Sequence, residues 1–168
     1  MKFNISSAEN LNLTDNEITE ILKESYLDEG FIEPEQFKSS FSPLNIRKRG
    51  TIYCGREIQS KEIAGMVISV DYKSPSKLFA KANEIEMHLL GVKPKYRNKG
   101  LGKLLIEKLF ESLTNSNYAK ILLWTQVNML TAHKLYEGYG FNHNPSRDFE
   151  RGNRNFLFYE KSLQPKSQ

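Results

Sequence analysis

Residues 92 to 102 read Val-Lys-Pro-Lys-Tyr-Arg-Asn-Lys-Gly-Leu-Gly, and their types suit the binding of a diphosphate. A helix start leaves several backbone N–H groups without partners, and its dipole favours negative charge. Gly100 and Gly102 remove the side chains that would hold an anion away from those donors. Arg97 can add charge-assisted hydrogen bonds, and Lys93, Lys95, Lys99 and Lys103 add positive charge nearby. Just upstream, Glu84, Glu86 and His88 alternate with Ile85, Met87 and Leu89, so three titratable groups share one strand face. Downstream, Asn128, Ala132 and Tyr136 recur at i, i+4 and i+8, on one helix face.

Spacing excludes two better-known phosphate loops. No glycine opens a G-x-x-x-x-G-K-[ST] pattern, and the third glycine of G-x-G-x-x-G is Leu105 here. What remains is Arg97-Asn98-Lys99-Gly100-Leu101-Gly102, an R-x-x-G-x-G after a strand. That strand, Glu84 to Val92, also changes phase. Its apolar positions are odd up to Leu89 and even at Leu90 and Val92. One extra residue does this, so a β-bulge is expected near Leu89-Leu90, where it would free backbone groups just before the loop.

The remaining elements must position these groups. Lys2 to Ser6 reads as a first strand. Thr14 and Glu17 have the spacing of a capping box, and a helix should follow to about Tyr26. A second short helix is expected after Pro34, within residues 34 to 46. Thr51 to Arg56 and Ile63 to Tyr72 read as antiparallel strands, and residues 73 to 83 as a polar loop. A helix is expected over Gly100 to Ser116, with Leu101, Leu104, Leu105, Leu109 and Leu113 on its apolar face. Ala119 to Thr125 reads as a buried strand. Asn128 to Tyr139 reads as a helix capped by Asn128, and Phe156 to Lys161 as a closing strand. Strands first, then strand–helix–strand–helix–strand, indicate a mixed α/β sheet.

These motifs, in this order, resemble the GNAT superfamily of N-acetyltransferases. Arg97 to Gly102 fits its coenzyme A pattern, Q/R-x-x-G-x-G/A. Glu86-Met87-His88-Leu89-Leu90-Gly91-Val92 fits its E-L-x-x-L-x-V strand, with Met for Leu. Leu135-Tyr136-Glu137-Gly138-Tyr139-Gly140-Phe141 fits its L-Y-x-x-x-G-F segment, with Asn128 and Ala132 at the expected upstream spacing. The resemblance covers residues 84 to 161. It implies a three-layer α-β-α fold with antiparallel N-terminal strands and a splayed parallel pair in the middle, bulged near 89–91. It also implies acetyl-CoA as co-substrate and direct attack by a primary amine in a ternary complex. Leu90, Gly91 and Val92 would pair with the pantetheine arm, and Arg97, Asn98, Lys99, Gly100, Leu101, Gly102 and Lys103 would hold the diphosphate. Asn128 would contact the coenzyme, and Tyr136 would protonate the departing thiolate. Glu86 is the first candidate base, directly or through water, with Glu84 and His88 on the same strand face.

The chain has 168 residues and 39% hydrophobic content, enough for one domain with a real core, expected over residues 1–163 before a flexible tail at 164–168. The formal charge is +4, and six basic residues against one acidic lie between Lys93 and Lys108. So local a patch suits a compact polyphosphate better than a nucleic-acid duplex, and no nucleic-acid partner is expected. Cys54 is the only cysteine, so an internal disulfide is excluded and no metal site is expected. The sequence shows neither a signal-peptide pattern nor an apolar run of membrane-spanning length, so a cytoplasmic protein with no membrane partner is expected. The acceptor is expected to be a small-molecule or peptide amine, walled by the first helices and the 73–83 and 142–155 loops. The C-terminal sheet edge could support a homodimer. The competing reading is a degenerate acyl-CoA-binding sensor of the same fold.

Overall fold

The computed structural model describes residues 1–163, and the expected tail lies outside them. Among these residues the strands are β1 (Phe3–Ser7), β2 (Thr51–Glu57), β3 (Ile63–Asp71), β4 (Glu84–Val92), β5 (Lys120–Gln126), β6 (Asn142–His143), β7 (Phe149–Arg151) and β8 (Arg154–Ser162). The α-helices are α1 (Asp15–Leu22), α2 (Pro34–Ser40), α3 (Pro43–Arg49), α4 (Leu101–Leu113) and α5 (Leu130–Gly138). The strands form one sheet in the order β1-β2-β3-β4-β5-β8-β6, with β7 also pairing with β8. Every adjacent pair is antiparallel except β4–β5, which is parallel.

Helices cover both faces, as the three-layer reading requires. On one face α1 and α3 bury Ile18, Ile21, Leu22 and Ile46 against Ile52, Met66 and Ile68. On the other, α4 and α5 bury Leu101, Leu105, Leu109 and Tyr136 against Ile85, Met87, Ile121 and Leu123. Ile106 joins that core, whereas Leu104, placed on the apolar face by its spacing, is 37% exposed. The capping box forms as expected. The Thr14 hydroxyl accepts from the Glu17 N–H at 3.2 Å, and the Glu17 carboxylate accepts from the Thr14 N–H at 2.8 Å.

Two features of this frame shape the site. The first is the bulge. Met66 on β3 faces Gly91 and Ile68 faces His88, so two residues of β4, Leu89 and Leu90, stand opposite Val67. Leu89 takes a left-handed φ of 50°, uncommon for a non-glycine residue. The second is the splay. β4 and β5 pair only over Glu84–Glu86 and Lys120–Leu122, and beyond that their facing edges part.

Four expectations change. Residues 34–49 hold two short helices, each with a proline in its first turn, because a proline fits there at no hydrogen-bond cost. The helix of α1 runs on through a π-helical turn over Lys23–Leu27. The 142–155 region contains β6 and β7, strands too short to show alternation. These strands also pair with β8, so the C-terminal edge of the sheet is formed by β6 and β7 rather than by β8.

Gly65 sits where the bulged half of β4 leans on β3. A Cβ added there would lie 2.7 Å from the Gly91 carbonyl oxygen and 3.3 Å from the Val92 Cα. Gly65→Val should therefore push β4 outward and lower stability by about 1–3 kcal/mol. A urea midpoint shift checks this. An unchanged midpoint would show that the strand end gives way freely.

Candidate active site

The splay opens into a cleft of about 1080 Å³, with walls from both faces of the sheet. At one end is the loop before α4. Asn98 has φ 58° and Gly100 has φ 84°, so the loop backbone takes two left-handed turns, the kind of backbone that forms anion-binding concavities. No partner among the described residues meets the N–H groups of Asn98 to Lys103. A Cβ on Gly100 would meet nothing within 4 Å, so the space in front of the loop is open. These are the features of an anion cradle.

The basic residues of the loop do not all serve it. Lys93 is 1% exposed and turns away to Glu20 and Glu62, at 3.2 and 3.0 Å. Lys95 pairs with Glu62 at 2.5 Å. Both were expected to add charge to the cradle, but acidic side chains on the far side of the turn engage them. Arg97 lines the cleft, donating from Nε to the Val92 carbonyl at 3.1 Å and from Nη1 to Glu29 at 2.9 Å. Lys103 lines the cleft too, whereas Lys99 does not.

The middle of the cleft is the parted strand. Leu90, Gly91 and Val92 line it. The Leu90 carbonyl, released by the bulge, accepts from the Tyr26 hydroxyl at 3.1 Å. Tyr26 and Ser25 lie on the π-helical turn, a local widening of the helix that recurs at functional sites. Ser25 Oγ is buried without a partner among the described residues and would be 3.1 Å from a Cβ on Gly91. An orphaned hydroxyl beside unpaired strand backbone suits a polar chain threaded between the strands.

Asn128, Ala132 and Tyr136 all line the cleft, as their shared helix face predicts. Asn128 does not cap the helix, however. α5 begins at Leu130 after Met129, with no side-chain cap, so Asn128 projects from the preceding turn and is exposed. Burial pushes the Tyr136 hydroxyl well above the usual tyrosine range, so it stays a donor throughout the physiological range.

On the opposite face, Glu86 and His88 form a dyad. His88 Nε2 is 2.7 Å from Glu86 Oε2. The Glu86 carboxylate also accepts from the N–H groups of Leu78, Phe79 and Ala80, at 3.0, 2.5 and 2.7 Å. Glu86, placed first as the base, is 0% exposed and lies behind the cleft wall, whereas His88 lies on it. Glu84 is also off the wall and accepts from Lys81 N–H. Burial alone would raise the Glu86 carboxyl, but His88 and the three N–H donors outweigh it and hold it below the usual range. Burial likewise pushes His88 below the usual histidine range, only partly offset by Glu86. On the other ring nitrogen, Arg49 Nη1 lies 3.4 Å from Nδ1. Carboxylates only accept and guanidinium only donates, so Nε2 carries the proton and Nδ1 keeps a lone pair.

The chain from residue 15 to 141 matches the model of the acetyltransferase (GNAT) family. The chain belongs to that family. It is similar to N-acetylaspartate synthetase of Homo sapiens, 36% identical over 66 residues, and to that of Xenopus tropicalis, 39% identical over 61 residues. Those stretches are 39% and 36% of this chain but 22% of each relative. The chain thus spans about a fifth of these relatives' length. In fold it is similar to the ribosomal-protein-S18-alanine N-acetyltransferase of Escherichia coli, with a TM-score of 0.67 and 18% identity over 99% of this chain and 97% of that one. It is also similar to an N-acetyltransferase of Thermoplasma acidophilum solved with coenzyme A, with a TM-score of 0.71 and 17% identity over 97% of this chain and 100% of that one. The bulge and the splayed parallel pair therefore sit in a GNAT frame.

Several wall residues had no sequence signal pointing to a site. Arg49 closes an ordinary basic run at the end of α3, and Trp124 reads as core although its ring packs on His88 at 4.9 Å. His143, in sequence a loop histidine without a partner, lies 3.0 Å from Asp148 and outside the cleft. His133 is half-buried and meets the Gln126 carbonyl at 2.9 Å. Cys54 is buried in the opposite core with its thiol pushed up to about 12, which suits packing rather than attack.

Gly100→Asp places a carboxylate at the mouth of the cradle, on a backbone with φ 84°. Acetyl-CoA affinity should fall at least about a hundredfold, from charge repulsion together with backbone strain. Calorimetric titration with acetyl-CoA checks this, and unchanged affinity would remove the cradle from the coenzyme site.

Proposed function

We propose that the protein transfers an acetyl group from acetyl-CoA to a primary amine by direct attack within a ternary complex. The observation that carries this reading is the parted β4–β5 pair, with a proton donor on one side and a histidine lone pair on the other. In this reading the loop from Arg97 to Lys103 holds the diphosphate, and Leu90, Gly91 and Val92 align the pantetheine arm. Asn128 contacts the same arm. Backbone N–H groups beside the bulge polarise the thioester carbonyl.

His88 Nδ1 accepts the proton that the amine must lose, and Glu86 positions the ring through Nε2. The neutral amine nitrogen then forms the new C–N bond, and the second proton that it sheds as the amide forms goes to the departing sulfur, giving the free thiol. As the C–S bond breaks, the Tyr136 hydroxyl donates to the developing thiolate. A thiol is a stronger acid than tyrosine. Tyr136 therefore works chiefly as a hydrogen-bond donor to sulfur, and its raised pKa keeps that donor in place. Glu86 moves from base to positioning residue because all its neighbours are donors and it does not reach the cleft. An intact donor–base pair favours the enzyme over a degenerate sensor.

Thiol release across a panel of primary amines tests the function. Acetyl-CoA binding with no thiol release from any amine would leave the sensor. Tyr136→Phe should lower kcat about tenfold or more while changing acetyl-CoA affinity little, and an intact kcat would exclude Tyr136 from the chemistry.

The pH profile reports the base. His88 must be neutral to act, so kcat/KM falls as pH drops through its pKa, which lies below the usual histidine value of about 6.5. His88→Gln should lower kcat at least about a hundredfold and abolish that acid limb. A limb that persists in the variant belongs to another group.

A further inference from the structure

The cleft is charged very unevenly. Glu29 is the one acidic residue on its wall among the described residues, and it is tied to Arg97 at the coenzyme end. The other end, on the His88 face, carries Arg49, Arg151 and Arg154, and among the described residues no carboxylate forms an ion pair with any of them, Glu33 acting on Arg154 only from a greater distance. Arg151 and Arg154 are direct cross-strand partners on the β7–β8 hairpin. Like charges facing one another across strands oppose folding, so this pair is not there for the sheet. Aromatic side chains hold both in place. Arg151 lies 5.8 Å over Phe149 and Arg154 5.4 Å over Phe156, and those two rings stack at 5.0 Å. Arg154 is also held by the Phe31 carbonyl and by Gln36, at 3.2 and 2.8 Å. Arg49 donates to the Ser40 carbonyl at 3.3 Å.

We infer that the acceptor is a primary amine that itself bears a carboxylate, held by Arg49, Arg151 and Arg154 beside His88. This inference rests on the acetyl-transfer reading and names its substrate class. Three neighbouring guanidinium groups, none in ion-pair contact with a carboxylate among the described residues, repel a polyamine. They accept a carboxylate through paired N–H donors. The same field lowers the pKa of the incoming ammonium, which favours the neutral amine that attack requires. A carboxylate on Arg49 also competes with His88 Nδ1 for the Nη1 donor 3.4 Å away. Binding the acceptor therefore frees the lone pair of the base.

The test compares matched compounds. L-Aspartate, glycine, L-asparaginamide, glycinamide, spermidine and an amidated peptide beginning with Asp are titrated into the coenzyme A-loaded protein. The same compounds are then assayed for thiol release from acetyl-CoA. Carboxylates should bind at least about tenfold tighter than their amides, with spermidine weakest. A preference for free amino acids over the peptide identifies a small acceptor, and the reverse identifies an acidic N-terminus; either supports the inference. Equal or tighter binding of the amides or spermidine overturns it. If spermidine is acetylated as well as aspartate, acetyl transfer stands and the carboxylate-binding pocket fails. If carboxylates bind but no amine releases thiol, the pocket stands and acetyl transfer fails. The double substitution Arg151→Gln/Arg154→Gln should shrink the carboxylate-over-amide preference to within about threefold, with acetyl-CoA affinity retained as the control for folding. A preference that survives the double substitution overturns the role of the hairpin.

Discussion

The site depends on one extra residue in β4. Because Leu89 and Leu90 together face the single position Val67, the strand bends, and its pairing with β5 stops at Glu86–Leu122. A continuous parallel ladder there would fill every N–H and C=O with a neighbouring strand. The bulge instead leaves the Leu90 to Val92 backbone lining a gap and turns the strand toward the loop that opens α4. The cradle and the gap are thus parts of one distortion, since the same strand end feeds both. Leu89 adopts a left-handed backbone to make the bend, a cost that the packed cores on both faces must offset.

Glu86 sits at the last paired position before the strands part. A fully buried carboxylate is costly unless every lone pair has a donor. Here three consecutive N–H groups from the 78–80 loop and the His88 ring supply them. This ties three things together. The loop over the acceptor side is pinned to the strand, the His88 tautomer is set, and the carboxylate stays ionised inside the protein. A glutamate that satisfies so many donors has little freedom to take a proton from a substrate. In the proposed reaction its part is to hold the ring that has that freedom.

Much of this frame is legible in the sequence, because its signals are local. The phase slip at Leu89-Leu90, the two glycines after Arg97, the capping box at Thr14 and the Asn128–Ala132–Tyr136 face are patterns within a few residues of one another. What could not be read arises from long-range meetings. Nothing near Lys93 announces that Glu20 and Glu62 will claim its ammonium. Nothing near Glu86 announces that backbone donors from a polar loop will bury it. Arg49 is separated from Arg151 and Arg154 by about a hundred residues in the chain, and they converge only because α3 and the β7–β8 hairpin flank the same end of the sheet. The short strands β6 and β7 escape for a related reason. Two or three residues cannot display an alternation, and their pairing with β8 is set by that longer strand.

The two faces of the sheet divide the work by charge and chemistry. The α4–α5 face offers backbone N–H groups, a tyrosine hydroxyl and an open glycine turn, which suit phosphates and a leaving sulfur. The α3 and β7–β8 face offers a histidine lone pair ringed by guanidinium groups over aromatic rings. In the proposed reaction an amine meeting the thioester through the parted strands comes from that second face, because the first would hold the coenzyme and is covered by α4 and α5. Its electrostatic field therefore acts on the nucleophile before the chemistry begins. It discourages an ammonium, tolerates a neutral amine and draws in a compound whose own negative charge balances the arginines. Selection of the acceptor and release of its proton would then be consequences of the same arrangement of charge.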